Sequence, residues 1–295
     1  MFRTLRGKVN PVNGEQESTE SLLWRAFQLA EISHAGQLRK SGVPYFEHCY
    51  NVALLLADWQ MDPITIAAGL LHDTIEDTAC TSQLIKEQFG AEVSHLVEGV
   101  TKLSGIKFRT KAERQAENYM KLLLSVAKDI RVIIIKFADR LHNMRTIEPL
   151  PRVKQRRIAI ETRDVYAPLA HRLGMARIKW ELEDLALKTL EPEKFEELFR
   201  NIRDSLPERE RYIEEFVRPV KKELATYHIR AKVVGRPKST YSIYGKMQRR
   251  RVDFEEIYDL LAVRIITDRP DECYAALGIV HQIYTPIQER FKDFI

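Results

Sequence analysis

The chain has few cysteines and no long apolar run, and both absences exclude classes of protein. Its three cysteines, Cys49, Cys80 and Cys273, lie far apart and form no CxxC pair, which argues against a disulfide framework and a thiolate zinc site. The longest apolar stretches, such as Val52 to Ala57, are too short to span a bilayer. No apolar segment follows the first residues, so the sequence predicts no signal peptide and a reducing, cytoplasmic compartment.

The excess of positive charge is small as well. A formal net charge of +5 and a pI near 9.0 suit a polyanionic ligand such as a nucleotide, and are too weak to argue for DNA or RNA. Hydrophobic residues make up 44% and charged residues 30% of the 295 positions, as in a globular protein of one large or two ordinary domains. We therefore predict a globular protein with no nucleic-acid or membrane partner.

The densest group of ionisable side chains lies in residues 70–77, directly after an apolar run. In a helix, His72 and Glu76 lie one turn apart, as do Asp73 and Asp77, so an imidazole and three carboxylates share one surface. Such a group is electrostatically unfavourable unless a cation shares the site. A metal site and a solvated acidic turn are both open interpretations of these residues alone.

Apolar residues recur at helical spacing through most of the first two thirds of the chain. Ser18 is interpreted as the cap of the first long helix, and Asp62 as the cap of the helix before the acidic group, with Pro63 in its first turn. Residues 131–139 carry β-branched side chains typical of a strand. Their continuation to Arg145 has helical spacing, so we interpret the whole segment as one buried helix.

The pattern changes after residue 227, where polar and apolar residues begin to alternate. The predicted elements are a strand at 228–234, a basic turn at 235–239, a helix at 241–251, a strand at 260–267 and a helix at 270–284. A helical part is therefore followed by the start of an α/β part.

His48, the His72–Asp73 doublet and Asp139 resemble the HD metal-dependent phosphohydrolase superfamily, whose pattern is His, His-Asp and Asp, all from helices. By that resemblance, these four residues hold a metal. Two imidazoles and two carboxylates form a mixed N/O ligand set that suits a divalent transition metal such as Mn²⁺. A metal with open positions polarises a phosphoryl oxygen and acidifies bound water.

Longer strings resemble the RelA/SpoT family, which makes and degrades the alarmone (p)ppGpp in the bacterial stringent response. The strings are His34–Gln37, Arg39–Gly42, Leu71–Thr78, Gly99–Leu103, Ala138–Thr146, Gly235–Lys238, Tyr241–Tyr244, Ile257–Arg264 and Arg290–Asp293. With the helical pattern, the resemblance predicts a mainly α fold. The expected parts are a flexible arm at 1–17, an all-helical HD-type phosphohydrolase domain at 18–190, a helical linker at 191–227 and a truncated α/β nucleotidyltransferase-like domain at 228–295.

The resemblance also implies roles for hydrolase residues. Glu76 and Asp77 position or deprotonate the attacking water and manage protons when the 3′-diphosphate leaves. The nucleotide and its phosphates meet a set of five residues, which are Arg39, Lys40, Ser41, Asn143 and Thr146. The implied enzyme is a guanosine-3′,5′-bis(diphosphate) 3′-diphosphatase, which converts ppGpp and water to GDP and pyrophosphate, and pppGpp to GTP.

In the family, the second domain transfers pyrophosphate from ATP to GDP or GTP. By resemblance, the synthetase residues are Arg236, Lys238 and Lys246 at the ATP phosphates, Ser242 nearby and Asp259 on Mg²⁺. The chain ends at residue 295, before the guanine-stacking tyrosine and second catalytic glutamate of the family. We therefore expect no synthetase activity from this chain, and Mg²⁺ only with a complete domain.

Two alternatives stay open. One is an HD phosphohydrolase for another nucleotide, against which the RelA/SpoT-like strings outside the metal ligands argue. The other is a non-catalytic regulator that binds (p)ppGpp through Arg39 and Lys40, against which the presence of Glu76 and Asp77 argues. The sequence leaves open the oligomeric state and the preference between ppGpp and pppGpp.

Overall fold

The computed structural model describes residues 1–9, 16–104, 129–204, 206–237, 239–256 and 261–294. Contacts divide the chain into two compact units, Met1–Leu190 and Glu191–Ile295. The predicted end of the helical domain, at residue 190, lies at this division.

The first unit is built from helices. They are α1 (Phe2–Arg6), α2 (Gln16–Ser33), α3 (Phe46–Asp58), α4 (Pro63–Leu71), α5 (Thr74–Asp77), α6 (Ser82–Ser104), α7 (Ile130–Arg145), α8 (Arg152–Glu161), α9 (Ala167–Arg172) and α10 (Ala176–Leu190). A π-helical turn, Thr162–Tyr166, joins α8 to α9. Within the described part of this unit, the β-type pairing is limited to an isolated bridge between Leu38 and Pro44. The prediction of an all-helical first domain is confirmed.

Helix α7 settles the ambiguous stretch at 131–139 in favour of a helix. Asp129 caps it, because its carboxylate accepts a hydrogen bond from the backbone N–H of Arg131 at 2.9 Å. Ile133 and Ile135 are fully buried in the main core. Burial on all sides of the helix therefore outweighs the preference of β-branched residues for strands.

The first residues differ from the prediction. Where a flexible arm at 1–17 was expected, residues 2–6 form α1 and Leu5 is fully buried. The ring of Phe2 packs edge-on against Trp24 at 4.8 Å and Phe27 at 5.7 Å, which gives a short polar segment an apolar anchor. Helix α2 also begins before Ser18, which lies inside the helix and does not cap it.

Helices α3 and α4 approach each other closely at Gly69. As predicted, Asp62 caps α4 by accepting the backbone N–H of Thr65 at 3.0 Å, and Pro63 takes the first helical position. A Cβ atom on Gly69 would overlap Leu56 Cδ1 of α3, whose side chain is fully buried. The missing side chain therefore lets the C-terminal end of α4 lie beside α3, where the predicted metal ligands are.

The second unit has a small sheet among its helices. Its elements are α11 (Pro192–Asp204), α12 (Leu206–Thr226), β1 (Ala231–Pro237), α13 (Thr240–Arg250), β2 (Leu261–Thr267) and α14 (Pro270–Ile283). The two strands are antiparallel, with Val234 opposite Arg264. Its buried core is Val217, Val220, Leu224, Val233, Ala276 and Ile279. In neither unit does a helix of the described ranges combine the length and apolar character needed to cross a bilayer.

Strand β1 begins three residues later than predicted, at 231 and not at 228. His228 adopts a positive φ of 55°, and the N–H of Ile229 donates to the carbonyl of Leu224 at 2.9 Å. These residues terminate α12 and so are unavailable to the ladder. The predicted basic turn at 235–239 is partly strand, because the pairing with β2 continues to Pro237 opposite Leu261.

Candidate metal centre

Four predicted ligands from separate elements meet in the first unit. His48 lies in the first turn of α3, His72 directly follows α4, Asp73 precedes α5 and Asp139 lies in α7. All four side chains are buried. Residues 70–77 do not form the single helix that was predicted, because α4 ends before His72 and α5 begins after Asp73. His72 and Asp73 therefore belong to the buried centre, whereas Glu76 and Asp77 lie exposed in α5.

The four ligand atoms surround one point. His48 Nε2 lies 3.5 Å from Asp73 Oδ2 and 3.3 Å from Asp139 Oδ1. His72 Nε2 lies 3.0 Å from Asp73 Oδ2 and 4.0 Å from Asp139 Oδ1. Each imidazole nitrogen therefore faces both carboxylates, as the ligands of one small cation would.

The hydrogen bonds of His72 show that this donor set fits a metal. Its Nδ1 lies 2.9 Å from the carbonyl oxygen of Gly69, which can only accept, so Nδ1 carries the hydrogen. The Nε2 atom then presents a lone pair, and it is buried without a hydrogen-bond partner. A lone pair pressed against the Asp73 carboxylate is repulsive unless a cation or a proton lies between them.

The charges of the centre are arranged for a cation. Burial opposes charging of His72, but the adjacent Asp73 carboxylate outweighs burial and raises the pKa of this imidazole. Burial likewise opposes ionisation of Asp139, but Lys136, whose Nζ donates to Asp139 Oδ2 at 2.6 Å, holds its pKa far below the usual range. With both carboxylates ionised and one ammonium, the site has a net negative charge that a divalent metal would balance.

Cys49 is the other buried group near the ligands, and it forms a possible metal set with His72 and Asp73. Burial and the Asp73 charge raise the pKa of its thiol well above the usual value. A neutral thiol is a poor ligand, because metals bind the thiolate. The chemistry of the donor set therefore favours the two imidazoles and two carboxylates over the sulfur.

Tyr45 connects the ligands to a second carboxylate. Its hydroxyl lies 2.9 Å from Asp73 Oδ2 and 2.8 Å from Asp77 Oδ2, so one proton serves two acceptors. Burial and these two charges raise its pKa, which keeps the phenol a donor. The ring stacks on His34 at 4.8 Å, and Gln37 Nε2 donates to the Asp77 carbonyl at 2.9 Å.

Three of the predicted nucleotide-binding residues also come together. Arg39 donates from Nη2 to Asn143 Oδ1 at 2.5 Å and from Nη1 to Thr146 Oγ1 at 3.2 Å. Asn143 in turn donates to Asp139 Oδ1 at 2.5 Å, which joins this group to the metal centre. Lys40 and Ser41 lie exposed in the same loop as Arg39.

The sequence analysis missed Tyr45, Lys136 and His142 as members of the site. Lys136 and His142 lie three residues before and after Asp139, on the same face of α7, so helical spacing carried a signal for both. Tyr45 also precedes His48 by three residues, at the start of α3. Its contact with Asp77, 32 positions away in the chain, has no local signal.

Of the five predicted synthetase residues, the structure describes the side chains of Ser242 and Lys246. Lys238, Asp259 and the side chain of Arg236 lie outside the described residues. Ser242 and Lys246 lie in α13, where Ser239 Oγ caps the helix by accepting the N–H of Ser242 at 3.3 Å.

Two families match the chain. The family described as "HD domain" matches residues 26–176, and the family described as "Region found in RelA / SpoT proteins" matches residues 235–295. The first match includes the four ligands, and the second includes all five predicted synthetase residues.

Three curated relatives are about equally similar. A GTP pyrophosphokinase of Streptomyces coelicolor is 48% identical over 295 residues, which are 100% of this chain and 34% of the relative. A probable guanosine-3′,5′-bis(diphosphate) 3′-pyrophosphohydrolase of Synechocystis is 48% identical over 96% of this chain and 38% of its own length. The Aquifex aeolicus protein named guanosine-3′,5′-bis(diphosphate) 3′-pyrophosphohydrolase is 47% identical over 92% of this chain and 39% of its own. The chain thus spans between a third and two fifths of these relatives.

A solved structure is described as a metazoan ortholog of SpoT that hydrolyses ppGpp. It aligns with 60% of this chain and 96% of its own at 26% identity and a TM-score of 0.41, which is too low to support an inference.

Proposed function

This chain belongs to the HD-domain family and carries the region found in RelA and SpoT proteins, and from that premise we propose that it hydrolyses the 3′-diphosphate of (p)ppGpp. The products are GDP and pyrophosphate from ppGpp, and GTP and pyrophosphate from pppGpp. Relatives named as (p)ppGpp 3′-pyrophosphohydrolases support this substrate. The proposal depends on one observation, which is that two buried imidazole nitrogens face two ionised carboxylates. An exposed carboxylate, Asp77, lies beside them and accepts a hydrogen bond from Tyr45.

A divalent metal is expected of an HD domain, and we propose Mn²⁺, held by His48, His72, Asp73 and Asp139. The mixed nitrogen and oxygen donor set supports a transition metal over Mg²⁺ or Ca²⁺, which prefer oxygen ligands. When bound, the cation supplies Lewis-acid polarisation of a phosphoryl oxygen and a lowered pKa for water.

Glu76 and Asp77 are proposed to manage the protons. An attacking water forms a new bond to the phosphorus next to the ribose, the bond from that phosphorus to the 3′-oxygen breaks, and the 3′-oxygen gains a proton. One carboxylate accepts the proton of the water, and the same pair returns a proton to the leaving 3′-oxygen. Tyr45 supports this role, since its hydroxyl fixes Asp77 Oδ2 at 2.8 Å.

Arg39, Lys40, Ser41, Asn143 and Thr146 are proposed to bind the guanine nucleotide. A guanidinium recognises phosphate oxygens through parallel N–H donors, and Lys40 and Ser41 are exposed where a ligand can reach them. We also propose a cytoplasmic location, which is consistent with the three cysteines being free thiols.

The test is pyrophosphate release from ppGpp by the purified chain, with Mn²⁺ and with a chelator. We expect metal-dependent release that an Asp73→Ala variant lacks. Equal or faster cleavage of other nucleotides, such as ATP or dGTP, would favour an HD hydrolase of different specificity. Absence of release from a folded, Mn²⁺-loaded sample would contradict the proposal, and calorimetric binding of ppGpp by that sample would favour a regulator.

A further inference from the structure

His142 lies between a metal ligand and the nucleotide-binding loop, and neither the four-ligand metal pattern nor the proposed roles use it. Its Nδ1 lies 2.8 Å from His48 Nδ1 on α3. His142 Nδ1 also lies 3.2 Å from Arg39 Nη1. The rings of the two histidines are 4.9 Å apart and inclined at 45°, which leaves their nitrogens facing each other.

The contact with Arg39 sets the direction of the hydrogen bond. A guanidinium can only donate, so an N–H on His142 Nδ1 would point into a donor at 3.2 Å. Arg39 Nη1 lies closer to His142 Nδ1 than to His48 Nδ1, which is 3.5 Å away. We therefore assign the acceptor to His142 Nδ1 and the hydrogen between the two rings to His48 Nδ1. Thr146 supports this geometry, because its hydroxyl donates to the carbonyl of His142 at 2.9 Å and accepts from Arg39.

A neutral His142 is required for it to accept. A charged His142 would carry hydrogens on both ring nitrogens, and its Nδ1–H would face the Arg39 donor at 3.2 Å. With the hydrogen on Nδ1, a neutral His48 presents the lone pair of Nε2 to Asp73 and Asp139.

We propose that His142 is a positioning residue that holds His48 in the tautomer able to bind the metal, with Arg39 securing His142 in place. The inference rests on the proposed metal site and deepens it. His142 plays for His48 the part that the Gly69 carbonyl plays for His72. His72 is thus oriented by a backbone carbonyl and His48 by a side chain. A substitution of the acceptor can therefore remove the hydrogen bond that orients His48, but not the one that orients His72.

The experiment measures the Mn²⁺ dissociation constant of the whole chain by titration calorimetry. We expect His142→Leu, which removes the acceptor, to raise this constant about ten- to hundredfold. His142→Gln places a carbonyl acceptor near the same point and should retain most of the affinity. His171→Leu, at an exposed histidine of α9, is the matched control and should bind Mn²⁺ as the original chain does. His142→Met replaces the leucine variant if circular dichroism shows that the latter is misfolded.

Two results would overturn the inference while leaving the proposed function intact. One is unchanged Mn²⁺ affinity in the folded leucine or methionine variant, and the other is a glutamine variant as weak as the leucine one. Failure of the original chain itself to bind Mn²⁺ would instead contradict the proposed function. A kinetic readout separates positioning from general damage, since excess Mn²⁺ should restore kcat to the leucine variant.

Discussion

The two units differ most in what they bury. The first unit encloses ionisable groups, among them His48, His72, Asp73, Lys136 and Asp139, inside an extensive apolar core. In the described part of the second unit, the buried polar residue is Thr240, and the buried apolar residues are a cluster of six together with Leu198 and Ile243. Burying a charge costs free energy unless a partner compensates it. In the first unit, the buried Asp139 carboxylate is paired with Lys136 of its own helix and also faces His48 of α3.

The sharpest way to break this comparison is to neutralise one carboxylate in each unit. Asp139→Asn keeps the shape of a buried ligand, whereas Asp271→Asn changes an exposed carboxylate at the start of α14. We expect Asp139→Asn to lower pyrophosphate release from ppGpp on the order of a thousandfold, because several kcal/mol of metal assistance are lost. Asp271→Asn should leave the rate unchanged. Similar rates in both variants would place the chemistry elsewhere.

Matched leucines test the two cores. Leu56 is fully buried in the first unit and Leu224 is 3% exposed in the second. Replacing Leu56 with alanine should lower the free energy of unfolding by about 2–5 kcal/mol. All three tryptophans, Trp24, Trp59 and Trp180, belong to the first unit, so their fluorescence reports that unit alone.

In urea titrations we therefore expect Leu56→Ala to move the fluorescence transition to lower denaturant. Leu224→Ala should leave that transition in place and lower only the part of the circular dichroism signal from the second unit. A fluorescence shift of equal size in both variants would mean that the units unfold as one.

Metal removal has the next largest expected effect. At a free Mn²⁺ concentration a hundred times the dissociation constant, binding should stabilise the first unit by about 2.7 kcal/mol. A chelator should reverse the gain in the fluorescence transition. Asp139→Asn, with a ligand missing, should show little of this stabilisation, and an equal gain in that variant would point to Mn²⁺ bound at another place.

Two tyrosines of the first unit give the smallest and most specific prediction. Tyr45→Phe keeps the ring that stacks on His34 and removes the hydroxyl between Asp73 and Asp77. Loss of a hydrogen bond to a charged group, about 1.5–3 kcal/mol, should lower kcat roughly ten- to hundredfold with little change in KM. Tyr50→Phe removes a hydroxyl that donates to the backbone of Met1 at 2.9 Å, and should not change kcat.

Most of the fold was predicted correctly from the local spacing of residues. The cap of α4 was predicted from Asp62 and Pro63, and α7 from the spacing beyond residue 139. Strand β1 was misplaced because the end of α12 depends on a positive φ at His228, a conformation that the alternating pattern conceals. The anchoring of α1 depends on Phe2 meeting Trp24, a contact between elements that periodicity does not report.

In the site too, local spacing predicts some features, and others depend on contacts between distant parts of the chain. Lys136 and His142 share a helical face with Asp139, so spacing alone places them near the centre. Their roles depend on which neighbour each one meets. Arg39 and His142 are 103 positions apart, and the direction of their hydrogen bond follows from the packing of the loop against α7. Such long-range pairings are set by the whole core and leave no trace in local composition.

Gly69 has a consequence for how this protein tolerates change. It contributes no side chain, yet a Cβ there would overlap buried Leu56, and its carbonyl accepts from His72 Nδ1 at 2.9 Å. In a saturation library selected for alarmone turnover, we expect position 69 to reject even alanine, while exposed charged positions such as Lys40 accept conservative exchange. The tolerance of the site to mutation would then depend on a residue that contributes no side chain to it.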